Sequence, residues 1–325
     1  MAPDRTQPGA DSVQQLSFLS PESDAPQIDL LNDAPPVTQH TPLSIARMWF
    51  RHHLLELDRP ANTVASYTYD LVVLEHRITD KPINRISETD IALYLAEASN
   101  KVTRKRRLTS VKAFFRFLTA DLRVLKIDPS ENFAPHPLEH RFPEILTDTE
   151  QESLMAAALA DEPWSAPAIW LMLHLGLGRT ELLALRRDHI DRTPVAGPEV
   201  LVAYDTPGKF NKQRTLLADD TFSAIYGIYL EERQPQDILF PYGPQAVNGM
   251  VDRVAAAAGI DRKITPQLLR HTAAVAMAAR GYDINELLAR LGLANDARNR
   301  ETVRMYMAVA EERGHNEVPE VEVGS

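Results

Sequence analysis

Residues 101–118 read KVTRKRRLTSVKAFFRFL. Seven bases (Lys101, Arg104, Lys105, Arg106, Arg107, Lys112 and Arg116) stand here without an acid among them, and Leu108, Val111, Phe114, Phe115 and Phe117 interleave with them. That spacing predicts a helix with one apolar face for a core and one cationic face. A cationic face suits phosphates, because each phosphate it neutralises releases condensed counterions. The plainer reading of the same pattern is a solvated Lys/Arg face with no ligand.

The flanking segments repeat the helical pattern. PLSIARMWFRHHLLE (42–56) carries apolar residues at helical spacing, and after a break at residues 60–63 the pattern resumes with Val64, Tyr67, Leu71, Val72 and Leu74. SETD (87–90) has the form of a capping box ahead of Ile91, Leu93, Tyr94 and Leu95. Residues 42–133 therefore read as one helical domain, ending just after Asp128–Pro129. Residues 134–143 (APHPLEHRFP), with three prolines, read as an extended linker.

Residues 144–310 read as a second, larger domain. TDTE (147–150) caps its first helix, 165–187 is an apolar helical stretch interrupted by Gly176 and Gly178, and helices are expected at 219–233, 245–258, 265–280, 283–292 and 299–310. Between them, residues 200–204 and 214–217 read as short strands around a Gly-Lys turn, a small β-hairpin. The expected fold class is mainly α, with a helical N-terminal domain and a mixed, mostly helical C-terminal domain carrying a small β-hairpin or sheet.

The charge distribution agrees with a DNA partner better than the total does. The 325-residue chain has a net charge of -10. Residues 1–41 hold six acids and one base, and residues 311–325 hold five acids and one base, so the two tails carry nine of those ten negative charges. The body is close to neutral and can present a basic face. The tails are expected to be disordered and acidic, with apolar islands at Leu16, Phe18, Leu19 and at Ile28, Leu30, Leu31 available to a partner. The chain has no cysteine, which excludes disulfides, thiolate metal sites and a cysteine nucleophile. No run of about 18 apolar residues suggests a membrane span, no secretory signal is visible, and no His/Asp/Glu cluster has metal-ligand spacing. The expectation is a chain in the cytoplasm, associated with the nucleoid, with no cofactor, no metal and no membrane partner.

Several motifs then stand in a telling order. NTVASYTYDL (62–71), RKRRLTSVKAFFRFL (104–118), DPSENF (128–133) and FPEILTDTE (142–150) lead into LHLGLGRTELLAL (173–185), GKFNKQR (208–214), PQLLRHTAAVAM (266–277) and LGLA followed by RETVRMYMAV (291–309). In this the chain resembles the tyrosine recombinase, or phage integrase and Xer-like, family across residues 42–310. The resemblance implies a SAM-like core-binding domain followed by a catalytic domain. It also implies a chemistry in which a tyrosine hydroxyl attacks a DNA phosphodiester and becomes a 3′-phosphotyrosyl ester. Two arginines normally meet the charge on the phosphate, a hairpin lysine protonates the leaving 5′ oxygen, and two histidines or their substitutes assist.

Position by position, the resemblance places the nucleophile at Tyr306, the second arginine at Arg270, the hairpin lysine at Lys209 and the supporting acid at Glu181. Three positions depart from the pattern. The first arginine falls on Gly178, with Arg179 next door about 100° around a helix. The first histidine falls on Gln267, which can hydrogen-bond but cannot shuttle a proton near neutral pH. The second falls on Leu293, which can do neither. DNA contacts are expected from the seven bases of 101–116 together with Lys212 and Arg214, both domains supplying cations as a two-lobed clamp requires.

Plainer readings stand beside these. Tyr306 also reads as a core tyrosine, Arg270 as a structural ion pair or a phosphate clamp, Lys209 and Lys212 as backbone contacts, and His271 as a satisfied structural histidine. The sequence favours a double-stranded-DNA-binding protein of this fold, self-associating on DNA, with strand transfer weakened or lost. A working site-specific recombinase acting through Tyr306, with Arg179 as substitute, and a helical assembly scaffold are the alternatives.

Overall fold

The computed structural model describes residues 36–134, 142–204 and 212–317, with side chains to Arg313. They fall into two compact units divided within the stretch 135–141.

The first unit is helical. α1 (Leu43–Glu56), α2 (Ala61–Ile78), α3 (Glu88–Ala96) and α4 (Lys101–Arg116) enclose one core, and a π-helical turn at Phe117–Asp121 extends α4. Local signals set the ends. Ser87 accepts from the Asp90 N–H while the Asp90 carboxylate accepts from the Ser87 N–H, and Asn100 caps α4 through Thr103. Phe50 packs against the rings of both Phe114 and Phe117 in the core, with centroids 5.5 Å apart in each pair. The apolar face read in residues 108–117 is the buried one: Leu108, Val111, Phe114, Phe115 and Phe117 are all at most 3% exposed.

The second unit is built around α6 (Ser165–His174), whose residues 165–173 are all buried. A helix apolar all round belongs at the centre of a domain. α5 (Asp148–Ala160), α8 (Asp220–Arg233), α9 (Pro244–Ala257) and α10 (Pro266–Ala279) pack against it, and the short α7 (Arg179–Leu183) follows it. α11 (Ile284–Arg290) and α12 (Ala297–Glu317) cover the far side of α10, and α12 continues past residue 310, where the last helix was expected to stop. Thr147, Thr265 and Asp283 cap α5, α10 and α11.

The expected hairpin is the larger part of a three-stranded antiparallel sheet. β2 (Glu199–Val202) pairs with β3 (Arg214–Leu217), Val200 opposite Leu216, and β1 (Ile190–Asp191) adds a third strand on the outer side of β2. β1 was not anticipated. Two residues carry no period of their own, and only pairing makes them a strand.

Candidate functional site

Glu181 is the centre of the site. It lies in the first turn of α7 with its side chain 9% exposed, and accepts hydrogen bonds from four residues. Arg214 on β3 forks onto it, Nη1 to Oε1 at 2.9 Å and Nη2 to Oε2 at 3.1 Å. Arg270 on α10 donates Nη1 to Oε2 at 2.8 Å, and the Gly178 N–H donates to the same oxygen at 2.8 Å. The Tyr204 hydroxyl donates to Oε1. Burial alone would raise the Glu181 carboxyl, but the hydrogen bonds and charge of Arg214 and the charge of Arg270 hold it down to about 2. The Tyr204 phenol is pushed up to about 12 by burial and by its bond to the Glu181 carboxylate.

Both arginines make further hydrogen bonds. Arg270, 12% exposed, also donates to the Gly176 carbonyl at 2.7 Å and to the Leu291 carbonyl. Arg214, 8% exposed, donates Nε to the Arg290 carbonyl at 2.6 Å. Its guanidinium fills the space beside Gly292, where a Cβ would lie 2.5 Å from Nη1 and where φ is +60°. A glycine is therefore required at 292 by the close approach as well as by the backbone.

A cavity of about 830 Å³ opens beside this cluster. Gly178, Arg179, Lys212, Gln267, Arg270 and Leu293 are among its walls, so one site brings together most of the positions singled out in the second domain. Arg179 points along the wall and donates Nη1 to Asn248 at 2.9 Å. Gly178 has ordinary backbone angles, φ -75° and ψ 155°, and the atoms nearest a Cβ there would be Arg270 Nη1 and Glu181 Oε2, each at 3.5 Å.

Tyr306 is not among the walls. It sits on α12 at 3% exposure, and its hydroxyl lies 2.7 Å from His271 Nδ1, across the α10–α12 contact. His271 Nε2 lies 3.2 Å from the Gln267 side-chain nitrogen one turn earlier on α10. Burial raises the Tyr306 phenol, with the charge of Arg270 acting against it, and burial and then Arg270 lower His271. Lys209 lies outside the described residues.

The bases of α4 divide into two sets. Lys101, Lys105 and Arg116 are exposed. Arg106 is ion-paired at 2.7 Å with Asp70, which is fully buried and also accepts from Ser110 at 2.7 Å. Arg107 donates to the Tyr94 carbonyl at 3.0 Å and lies over its ring. Lys112 donates to the Glu131 carbonyl at 3.2 Å, and Arg104 is half-buried. Arg106 and Arg107 thus hold the unit together, as Arg214 does in the second unit. Helical spacing alone does not distinguish such bases from free ones. Three partnerships escaped the sequence reading altogether: Arg214 and Tyr204 on Glu181, and His271 on Tyr306. The neighbouring Gln267–His271 pair, by contrast, had a local signal in its i, i+4 spacing.

Comparison with known proteins places this architecture. Residues 144–313 match the model of the phage integrase family, and residues 48–121 match that of its N-terminal SAM-like domain. The tyrosine recombinase XerD of Caulobacter vibrioides is 30% identical over 237 residues, covering 67% of this chain and 74% of the relative. XerD of Proteus mirabilis is 26% identical over 284 residues, covering 80% and 86%. Among solved structures, a XerH site-specific recombinase bound to a palindromic difH substrate superimposes with a TM-score of 0.65 at 15% identity, covering 84% of this chain and 83% of that one. A lambda integrase dimer bound to a COC′ core site does so with a TM-score of 0.66 at 15% identity, covering 87% and 81%. The chain belongs to the phage integrase family of tyrosine recombinases, with the fold of its SAM-like and catalytic domains. Among the described residues, no helix is long and apolar enough to cross a membrane.

Proposed function

We propose that this chain binds duplex DNA and that its strand-transfer chemistry is weakened or lost. The observation that carries the reading is the cavity wall at position 178. Where the resemblance expects a guanidinium there is only glycine backbone, and the adjacent Arg179 donates to Asn248 instead. In strand transfer the Tyr306 oxygen bonds to phosphorus, the P–O5′ bond breaks, the phenol loses its proton and the departing 5′ oxygen gains one, by the resemblance from Lys209. Charge on the non-bridging oxygens peaks at that moment, and each preorganised donor contributes about 2.7–4 kcal/mol. Arg270 can give its share, position 178 gives none, Gln267 can donate but not carry a proton, and Leu293 does neither. Tyr306 is paired with His271 and does not line the cavity.

DNA binding needs none of the altered positions. Of the described bases singled out in the sequence, Lys101, Lys105 and Arg116 on one unit and Arg179 and Lys212 on the other are available to phosphates. Self-association on the DNA goes with this reading, and the DNA partner places the chain in the cytoplasm with the nucleoid. A gel-shift titration on duplex DNA between about 50 and about 200 mM salt tests it. Binding that weakens steeply with salt is expected. Absence of binding at the low end sinks the proposal.

The pairing of Tyr306 with His271 favours one second reading, a live recombinase with an unusual site. On that reading a covalent protein–DNA adduct forms with wild type and is absent with Tyr306→Phe.

A further inference from the structure

The chain Gln267, His271, Tyr306 has a direction. A glutamine side-chain nitrogen can only donate, so at 3.2 Å the amide of Gln267 donates to His271 Nε2, which must be unprotonated to accept. A neutral imidazole has a single N–H, and it is then on Nδ1. That nitrogen lies 2.7 Å from the Tyr306 oxygen. Burial, and then the charge of Arg270, its neighbour on α10, favours the neutral ring, and Arg270 is also the charged group acting on Tyr306.

We propose that Gln267 and His271 form a positioning relay for Tyr306, in which the Gln267 amide fixes the imidazole tautomer and His271 Nδ1–H donates to the phenolic oxygen. A donor on that oxygen favours its deprotonated form, the form that attacks phosphorus. His271 holds and orients the oxygen without itself touching DNA. Gln267, at the altered first histidine position, moves no proton but sets which nitrogen of His271 faces Tyr306. The importance of the relay for catalysis rests on Tyr306 being the nucleophile. Its hydrogen bonds belong to the free protein and are tested there.

The experiment is nitrogen-15 NMR of the histidine rings in the full chain, with carbon-13 at the tyrosine ζ position to follow the Tyr306 phenol through its titration. The expected His271 is neutral, protonated on Nδ1 and bare on Nε2. Gln267→Met removes the donor and is expected to move the proton toward Nε2. His271→Phe is expected to lower the Tyr306 phenolate population roughly tenfold at a given pH. His271→Asn, whose amide nitrogen occupies about the place of Nδ1, is expected to restore it, which a purely space-filling role for the ring would not produce. A wild-type His271 protonated on Nε2, or a Tyr306 titration equal in His271→Phe and His271→Asn, overturns the relay. Failure of DNA binding with the expected tautomer present overturns the DNA reading and leaves the relay standing.

Discussion

At Gly178 the missing side chain and the space for it coexist. The backbone is extended, and a Cβ meets its neighbours at ordinary contact distance. Gly178→Arg is therefore expected to fold with a stability change under about 1 kcal/mol. With a restored donor it is also expected to raise covalent-adduct yield by about 100-fold, read on a denaturing gel. Glu181 behaves oppositely. Removing its charge leaves Arg214 and Arg270 buried against a neutral amide, so Glu181→Gln is expected to cost about 3 kcal/mol at pH 7 in urea denaturation. The pH dependence follows in sign. The carboxyl is held at about 2 in the folded chain against an ordinary 4.5, so its contribution is complete above about pH 4.5 and is lost as pH falls toward 2. The gap between wild type and Glu181→Gln should close over that window. A gap constant from pH 5 to 2 would contradict the assignment. Motif order in the sequence singled out Gly178, Gln267 and Leu293, and the three line one cavity. The saturation of Glu181 was not, because Arg214 and Arg270 reach it from 33 and 89 residues away.

Helix α4 shows the same division one scale up. Its amphipathic period fixed the apolar face correctly, since that signal is local and repeated. The cationic side was less legible, because whether a base is free depends on what stands opposite, and Asp70 stands opposite Arg106 from another helix. The two sets of bases should respond differently. Lys101→Ala, Lys105→Ala and Arg116→Ala should each weaken DNA binding about equally across sequences and reduce the salt slope by about 0.9, with the thermal midpoint unchanged. Arg106→Ala leaves a fully buried carboxylate without its cation and should cost the first unit about 3 kcal/mol by thermal or urea unfolding. Equal stability in Arg106→Ala and Lys105→Ala would contradict this division. The caps at Ser87, Thr147, Thr265 and Asp283 were likewise readable, being written within a few residues, whereas β1 exists only through its pairing with β2.

For the whole molecule, family membership and the proposed loss of chemistry are separable. Two family models account for most of the chain, and at the positions the resemblance assigns, the second unit has Arg270, Glu181 and Tyr306, with glycine, glutamine and leucine at the other described ones. Residues 1–41 and 311–325 hold most of the net charge, so a pI near 5.5 is compatible with a basic face on the body of the chain. One experiment addresses both halves. Wild type, Tyr306→Phe, Gly178→Arg and the Gly178→Arg/Tyr306→Phe double variant are mixed with nicked suicide duplexes drawn from the DNA neighbouring the gene. Binding is read on native gels and covalent adduct on denaturing gels. The expected result is salt-sensitive binding by all four proteins, little or no adduct with wild type, and a gain with Gly178→Arg that the double variant abolishes. Abundant wild-type adduct that disappears in Tyr306→Phe would contradict the weakened-chemistry claim, and absence of binding at low salt would contradict the account as a whole.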